Sequence, residues 1–309
     1  MFALDSPTKH ETDSESKPTR VGLIAGWGQF PVRVARALRH AGIEVYCLGA
    51  FDHADPVLAE ICTDFRTMGL GRFGAAIRYF QRHGVTRATM AGKIHKVHLF
   101  RPWLFLHYVP DLRTLRMLAP HFFTRRKDNR DDTLLGTICD EFASEGIQMV
   151  PSTDFAPELL VGEGLLTCRA PNQRQWEDIR FGWRLAKALG GLDCGQSVAV
   201  KNRAVLALEA IEGTDACIRR AGELCRSGKF TVVKTAKPRQ DMRFDLPTVG
   251  LGTLETMIQA GARVLAIEAG MTILLDEDRL VDFADQHKLI IVACSAQAMG
   301  ASVGESNAA

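Results

Sequence analysis

Apolar runs and apolar spacings alternate along the first half of the chain. Residues 21–25, Val-Gly-Leu-Ile-Ala, form an unbroken run of the kind that builds a strand buried on both faces. Residues 32–41 instead place apolar side chains at Val34, Ala37, Leu38 and Ala41, a helical spacing that Gly42 ends. Residues 43–48 read as a second strand. Strand, glycine-rich turn, helix and strand make a βαβ unit and imply a parallel sheet. The pattern then predicts a helix over 74–83, a strand over 87–91, helices over 111–118 and 132–145, and a strand over 147–150. A doubly wound arrangement accounts for this half.

The second half changes character. A helix is expected over 177–189 and strands over 197–200, 204–208, 230–235, 263–268, 272–275 and 289–293. Helices are expected over 216–226, 253–260 and 277–287. The fold class is therefore α/β. An N-terminal Rossmann-like parallel-sheet domain (20–155) is joined by a Pro- and Gly-containing linker (156–175) to a C-terminal mixed α/β domain (176–296). Polar residues 1–19 read as a disordered tail and 297–309 as a flexible one.

Composition narrows the function classes. Thirty-eight basic residues against 36 acidic ones leave a formal charge of +2, which argues against a general polyanion binder and against nucleic acid as partner. No apolar run approaches the roughly 20 residues of a membrane span. The N-terminal stretch lacks the apolar segment of a signal peptide. The 8 cysteines are scattered without a C-x-x-C pair, which suits free thiols in a reducing, cytoplasmic setting.

Four stretches carry candidate chemistry. Gly26-x-Gly28 sits between a strand and a helix, where bare backbone can approach a phosphate. Pro31 stands where a dinucleotide fingerprint has its third glycine, and Asp52 is only a loose match to a ribose-binding acid. The turn is thus either a ligand contact or a plain strand-to-helix connection. Gly92-Lys93 follows another strand and adds donors and a cation at the same sheet edge. Residues 95–130 interleave basic with aromatic side chains, including Arg101, Trp103, Arg113 and Arg116. That suits an anionic lipid surface or an amphiphilic substrate, and equally a helix with its aromatics in the core. His95-x-x-His98 has no third ligand at motif spacing and reads as a loop pair. The last stretch is acidic. Glu209-Ala-Ile-Glu-Gly-Thr-Asp215, the Lys237–Asp245 loop and Glu268-Ala-Gly270 put carboxylates at three strand ends beside lysines and arginines. Such carboxylates bind Mg²⁺, and the cations offset charge on phosphoryl oxygens. Asp215 can equally be a helix cap.

These blocks carry a resemblance. Val21-Gly-Leu-Ile-Ala-Gly-Trp-Gly-Gln-Phe-Pro31, Asp193-Cys-Gly-Gln196, the Glu209–Asp215 block, Lys234-x-x-Lys-Pro-x-Gln-Asp-x-Arg-Phe-Asp-Leu-Pro-Thr-Val-Gly250 and Glu268-Ala-Gly270 resemble the LpxI-type UDP-2,3-diacylglucosamine pyrophosphatases. The resemblance covers roughly residues 20–296 and implies Mg²⁺-dependent hydrolysis of UDP-2,3-diacylglucosamine to UMP and 2,3-diacylglucosamine 1-phosphate (lipid X) in lipid A synthesis. It implies a substrate held between two domains, at the cytoplasmic side of the inner membrane. Asp241 is the implied catalytic aspartate, with Asp245 its competitor. Asp241, Asp215 and Glu268 are the expected metal carboxylates. Gly26, Gly28, Gln29, Gly92, Lys93, Gln196, Thr214, Lys237, Gln240, Arg243 and Thr248 are the expected substrate contacts. Trp27 and the tail before Arg20 depart from the family pattern. A homodimer is expected only as the commonest assembly. Two other readings compete: a nicotinamide-dependent oxidoreductase resting on Gly26-x-Gly28, and a non-catalytic nucleotide- or lipid-binding protein.

Overall fold

The computed structural model of the chain describes residues 19–92, 109–123, 131–238, 240–243 and 246–300. Most of the expected tails, Lys93, the His95–His98 pair, much of the basic aromatic stretch and Asp245 lie outside the described residues.

The N-terminal half runs β1 (Arg20–Ala25), α1 (Phe30–His40), β2 (Glu44–Ala50), α2 (Leu58–Ile61), β3 (Asp64–Met68), α3 (Phe73–Arg82), β4 (Arg87–Ala91), α4 (Leu112–Phe123), α5 (Asp131–Ser144) and β5 (Gln148–Met149). Its sheet is parallel in the order β3-β2-β1-β4-β5, with Leu23 level with Cys47 on one side and Thr89 on the other. Side chains alternate across a strand, so Val21, Leu23 and Ala25 face α1, where Val32, Val34, Ala35 and Leu38 complete a core. Ile24 enters the opposite core with Ile77, Phe80 and Phe142. Gly22 faces that side too. A Cβ there would lie 2.8 Å from the Phe80 ring, so the glycine makes room for the aromatic side chain.

The C-terminal half runs β6 (Gly164–Leu165), α6 (Gln173–Gly191), β7 (Ser197–Lys201), β8 (Ala204–Leu208), α7 (Thr214–Leu224), β9 (Thr231–Lys234), β10 (Thr248–Val249), α8 (Leu251–Ala260), β11 (Val264–Glu268), β12 (Ile273–Leu274), α9 (Glu277–Gln286), β13 (Ile290–Cys294) and α10 (Ala296–Gly300). Its main sheet has the order β6-β13-β11-β9-β7-β8. β9, β11 and β13 are parallel, while β6, β7 and β8 run antiparallel to their neighbours. The α/β class with a parallel first sheet and a mixed second one is therefore what the structure has. Leu265 and Ile267 face α7, α8 and α9; Val264 and Ala266 face Ile179, Trp183 and Ala186 of α6.

Some elements differ from expectation for identifiable reasons. β3 and α2 are absent from the sequence reading because β3 is an edge strand with Asp64 and Arg66 in it, and α2 is a single turn. α6 starts earlier than expected, at a capping box: the Asn172 side chain accepts from Gln175 N–H and the Gln175 side chain from Asn172 N–H. Much of 156–175 is built into the second half of the fold. Leu160 bridges Ile273, Val161 N–H donates to Thr272, and β6 pairs with β13.

The β7–β8 hairpin turns on Asn202 and Arg203, both with positive φ (51° and 60°), as a two-residue type I′ loop requires. Asp178 of α6, 5% exposed, accepts both their N–H groups at 3.1 and 2.6 Å. Asp178→Ala leaves those donors without their acceptor and is expected to lower stability by about 1–3 kcal/mol. Urea unfolding measures it; an unchanged midpoint and slope would show that the carboxylate is dispensable.

Candidate active site

The parallel strands β9, β11 and β13 end at one edge of the second sheet, and β7 begins there because it runs the other way. That edge gathers Gln196, Ser197, Glu209, Thr214, the start of the 235–247 loop and Glu268. Ligands of open α/β sheets collect at such carboxyl edges.

The loop is anchored at both ends. Lys234, 6% exposed, donates from Nζ to the Thr248 carbonyl at 3.0 Å, tying the strand's last residue to the loop's far end. Thr235 N–H donates to the Gln196 carbonyl at 3.0 Å. Ala236 N–H donates to Glu268 Oε2 at 2.7 Å, and Lys187 Nζ donates to the Ala236 carbonyl at 3.0 Å and to both Glu268 oxygens at 2.7 Å. Lys237 N–H donates to Gln240 Oε1, and its ammonium meets Asp193 at 2.8 Å. Arg243 makes a forked contact to Asp241, Nε to Oδ1 at 2.9 Å and a terminal nitrogen to Oδ2 at 2.5 Å. That contact holds the Asp241 carboxyl below its ordinary pKa against the opposing effect of burial, and raises the guanidinium in turn. The same two charges act on Cys139 of α5, whose thiol burial pushes up to about 11.

Glu209, 7% exposed, accepts from the Thr214 hydroxyl at 2.9 Å and from Gln196 N–H at 3.3 Å. The Thr214 proton is therefore committed to Glu209, and the Ser197 hydroxyl 3.3 Å away must be the donor to Thr214. In this arrangement the Thr214 hydroxyl proton faces Glu209. Thr248 likewise donates its hydroxyl to Leu246 and acts as a turn residue. Gln196 Oε1 is buried with no hydrogen-bond partner among the described residues, and so is Thr235 Oγ1. Unpaired buried polar atoms at a strand edge are what a polar ligand satisfies.

On the N-terminal side, Gly26 N–H donates to Ala91 and Gly28 has a φ of 104°, open only to glycine without strain. Gly92 has a φ of 93°, and a Cβ on it would sit 2.9 Å from the Trp27 carbonyl and 2.7 Å from Pro31. Close packing of two turns therefore explains Gly92 without a ligand. Gln29 donates to Asp55 at 3.3 Å. Trp27, Gly28, Gln29, His53 and Asp55 line a cleft of about 570 Å³ whose other wall is Gly250, Leu251, Asp276 and Arg279. Arg33 of α1 reaches Asp276 at 2.5 Å and ties the two walls together. Asp52 turns the chain after β2 with a φ of 59° and does not line this cleft.

The expected shared ion site is not assembled. Glu268 is occupied by Lys187 and Ala236, Asp241 by Arg243, and Asp215 accepts from the Thr253 hydroxyl at 3.1 Å to hold α7 against α8. Among the described residues no group of three or more His, Cys, Asp or Glu side chains is placed to hold a metal ion. As arranged, these carboxylates do not fit a shared Mg²⁺, because each is turned to its own partner: Glu268, which is buried, to Lys187, and the partly exposed Asp241 and Asp215 to Arg243 and Thr253. Lys187 and Thr235 went unread in the sequence. Lys187 leaves no local signal; only the cost of an unpaired acid at a strand end calls for a cation somewhere.

The model of the LpxI N-terminal domain matches residues 20–159, and that of the LpxI C-terminal domain matches residues 162–292. The UDP-2,3-diacylglucosamine pyrophosphatase LpxI of Caulobacter vibrioides is 30% identical over 285 residues, covering 90% of this chain and 98% of that protein. The two halves of the fold, in this order and with the junction between residues 159 and 162, are the two domains of that architecture, and the chain belongs to the LpxI family.

Proposed function

We propose that this chain cleaves the diphosphate of UDP-2,3-diacylglucosamine, the substrate in its relative's name, to UMP and 2,3-diacylglucosamine 1-phosphate. The observation that carries this reading beyond kinship is the 235–247 loop. One carboxylate, Asp241, and two cations, Lys237 and Arg243, lie within seven positions of one another on an anchored loop at the carboxyl sheet edge. A diphosphate presents acceptor oxygens only. Lys237 and Arg243 supply donors for them, exchanging their contacts with Asp193 and Asp241 for phosphoryl oxygens. Asp241, released from Arg243, orients a water and takes its proton. One P–O bond forms to that water, the bridging P–O bond breaks, and each product leaves as a phosphate monoester.

The acyl chains need an apolar surface. Leu112 and Leu115 on α4 are 82% and 52% exposed, with Arg116 alongside. We place the side of the protein that meets the cytoplasmic face of the inner membrane there. No helix among the described residues is long and apolar enough to cross a membrane.

Phosphorus NMR of UDP-2,3-diacylglucosamine with the protein is expected to show the two diphosphate signals replaced by two monoester signals. Repeating it with Mg²⁺ and then with EDTA reads the metal requirement. Asp241→Asn is expected to lower turnover by about 10²- to 10⁴-fold with substrate binding retained; near-normal turnover would remove Asp241 from the chemistry.

The lowered pKa of Asp241 gives a signed pH dependence. The carboxylate stays charged as pH falls into its ordinary titration range, so the stability it contributes is present above the unfolded-state value and is lost only as pH falls through the lower folded value. The acid limb of kcat/KM is expected below the ordinary carboxylate range, and Arg243→Gln should move it upward. A limb that stays in place in that variant assigns it to another group. Leu112→Asp with Leu115→Asp is expected to weaken co-sedimentation with anionic phospholipid vesicles; unchanged binding would move the membrane-facing side elsewhere.

A further inference from the structure

Glu268 ends β11 and is 4% exposed. An isolated carboxylate in that position is costly, and Lys187 on α6 neutralises it through both oxygens at 2.7 Å. Neutralisation alone does not explain the arrangement. An apolar pair of similar volume stabilises a fold as well as a buried ion pair does. What an apolar pair cannot do is grip a peptide unit. Glu268 Oε2 accepts the Ala236 N–H at 2.7 Å while Lys187 Nζ donates to the Ala236 carbonyl at 3.0 Å. The two partners thus hold both backbone polar groups of one residue, immediately before Lys237. The C-terminal end of α6 packs on the same point: a Cβ on Gly190 would lie 3.1 Å from Lys237 Cα. Lys187 is further confined by its ammonium lying 5.9 Å from the centre of the Trp183 ring.

We infer that Lys187 and Glu268 are positioning residues that set the direction in which the 235–247 loop leaves the sheet, and with it the placement of Lys237 and Asp241 on the diphosphate. This rests on the hydrolase reading above for its catalytic consequence. It replaces a metal-binding role for Glu268 with an orienting one. Neither side chain touches the substrate in this assignment; both act through Ala236.

The test uses the full-length protein and three variants. Glu268→Gln keeps the shape and removes the charge. Lys187→Arg keeps the charge and a donor to both partners. Asp178→Ala, on the same helix but at the distant hairpin, serves as a control destabilised without contact to the loop. Misplacing reacting groups by an ångström lowers kcat, so Glu268→Gln is expected to lose on the order of 10- to 100-fold in kcat with KM within about threefold. Lys187→Arg is expected to retain most of kcat, and Asp178→Ala to retain it despite its lower stability. Hydrogen exchange in Glu268→Gln should accelerate in peptides covering 235–243 ahead of the remaining C-terminal sheet.

Wild-type kcat in Glu268→Gln overturns the inference. So does an equal fall of kcat in Glu268→Gln and Asp178→Ala, which would make the pair a stability element only. If the wild-type protein fails to hydrolyse UDP-2,3-diacylglucosamine, the hydrolase reading falls while the exchange measurement still decides the clamp. Local acceleration at 235–243 supports it, and exchange that rises evenly over the domain or not at all overturns it.

Discussion

A buried carboxylate must find donors inside the fold, and the C-terminal half of this protein is organised by how three of them do so. Asp178 takes the two N–H groups of the β7–β8 turn. Glu209 takes the Thr214 hydroxyl and the Gln196 N–H. Glu268 takes Lys187 and the Ala236 N–H. Each acid is at most 7% exposed, so none can rely on water. In every case at least one donor is a backbone group at the start or end of a strand or in its turn. The acids therefore do more than survive burial: they fix where the chain enters and leaves the sheet. Hydrophobic packing on both faces supplies the bulk of the stabilisation but is indifferent to a loop's direction. Directional bonds to buried charge supply that direction.

The same logic shapes the junction of the two halves. The N-terminal sheet presents its strand ends through glycine turns that pack on one another, Gly92 against the Trp27 carbonyl, leaving Trp27 half exposed at the cleft mouth. The C-terminal half contributes Gly250 and Asp276 to the opposite wall, and Arg33 closes the span to Asp276. The charges of Asp241 and Arg243 also reach the Cys139 thiol of α5. A surface ion pair such as Arg33–Asp276 is worth only about 0–1 kcal/mol. Its value here is geometric.

What the sequence disclosed followed from side-chain periodicity. β1 and β11 are legible because both faces are apolar, so an unbroken run admits few other readings. β3 carries charge on an edge, and β6 and β10 are two residues each with glycine or proline in or beside them, so no apolar run marks them. The stretch 156–175 looks like a connector because proline and glycine punctuate it; its bonds to Thr272 and β13 are tertiary and leave no local mark. The candidate site divides in the same way. Asp241 and Arg243 sit two residues apart, and their pairing is local. Glu268 is visible as an acid at a strand end, but its cation lies 81 positions earlier on α6, so charge type alone left metal as the nearest explanation. Asp215 has the same history, with Thr253 as the unseen partner 38 positions on. Residue type and spacing located the edge where polar groups gather. They did not say which of those groups were already satisfied.

That distinction bears on how the edge handles a dianionic ligand. Lys237 and Arg243 each rest against a carboxylate, with side chains between about a fifth and a third exposed. The two pairs are therefore neither solvent-separated nor sealed. Under the proposed function, a phosphoryl group would not need to draw cations out of bulk water, where reorganisation is costly; it would exchange one anionic partner for another at nearly fixed cation positions. The exchange also returns Asp241 to its unpaired state in the presence of the ligand. A carboxylate released from a guanidinium is a stronger base than one held by it, since the contact that depressed its pKa is gone. In the mechanism proposed above, binding and activation of the base would then be one event, with Asp241 held ionised by Arg243 until a diphosphate displaces it.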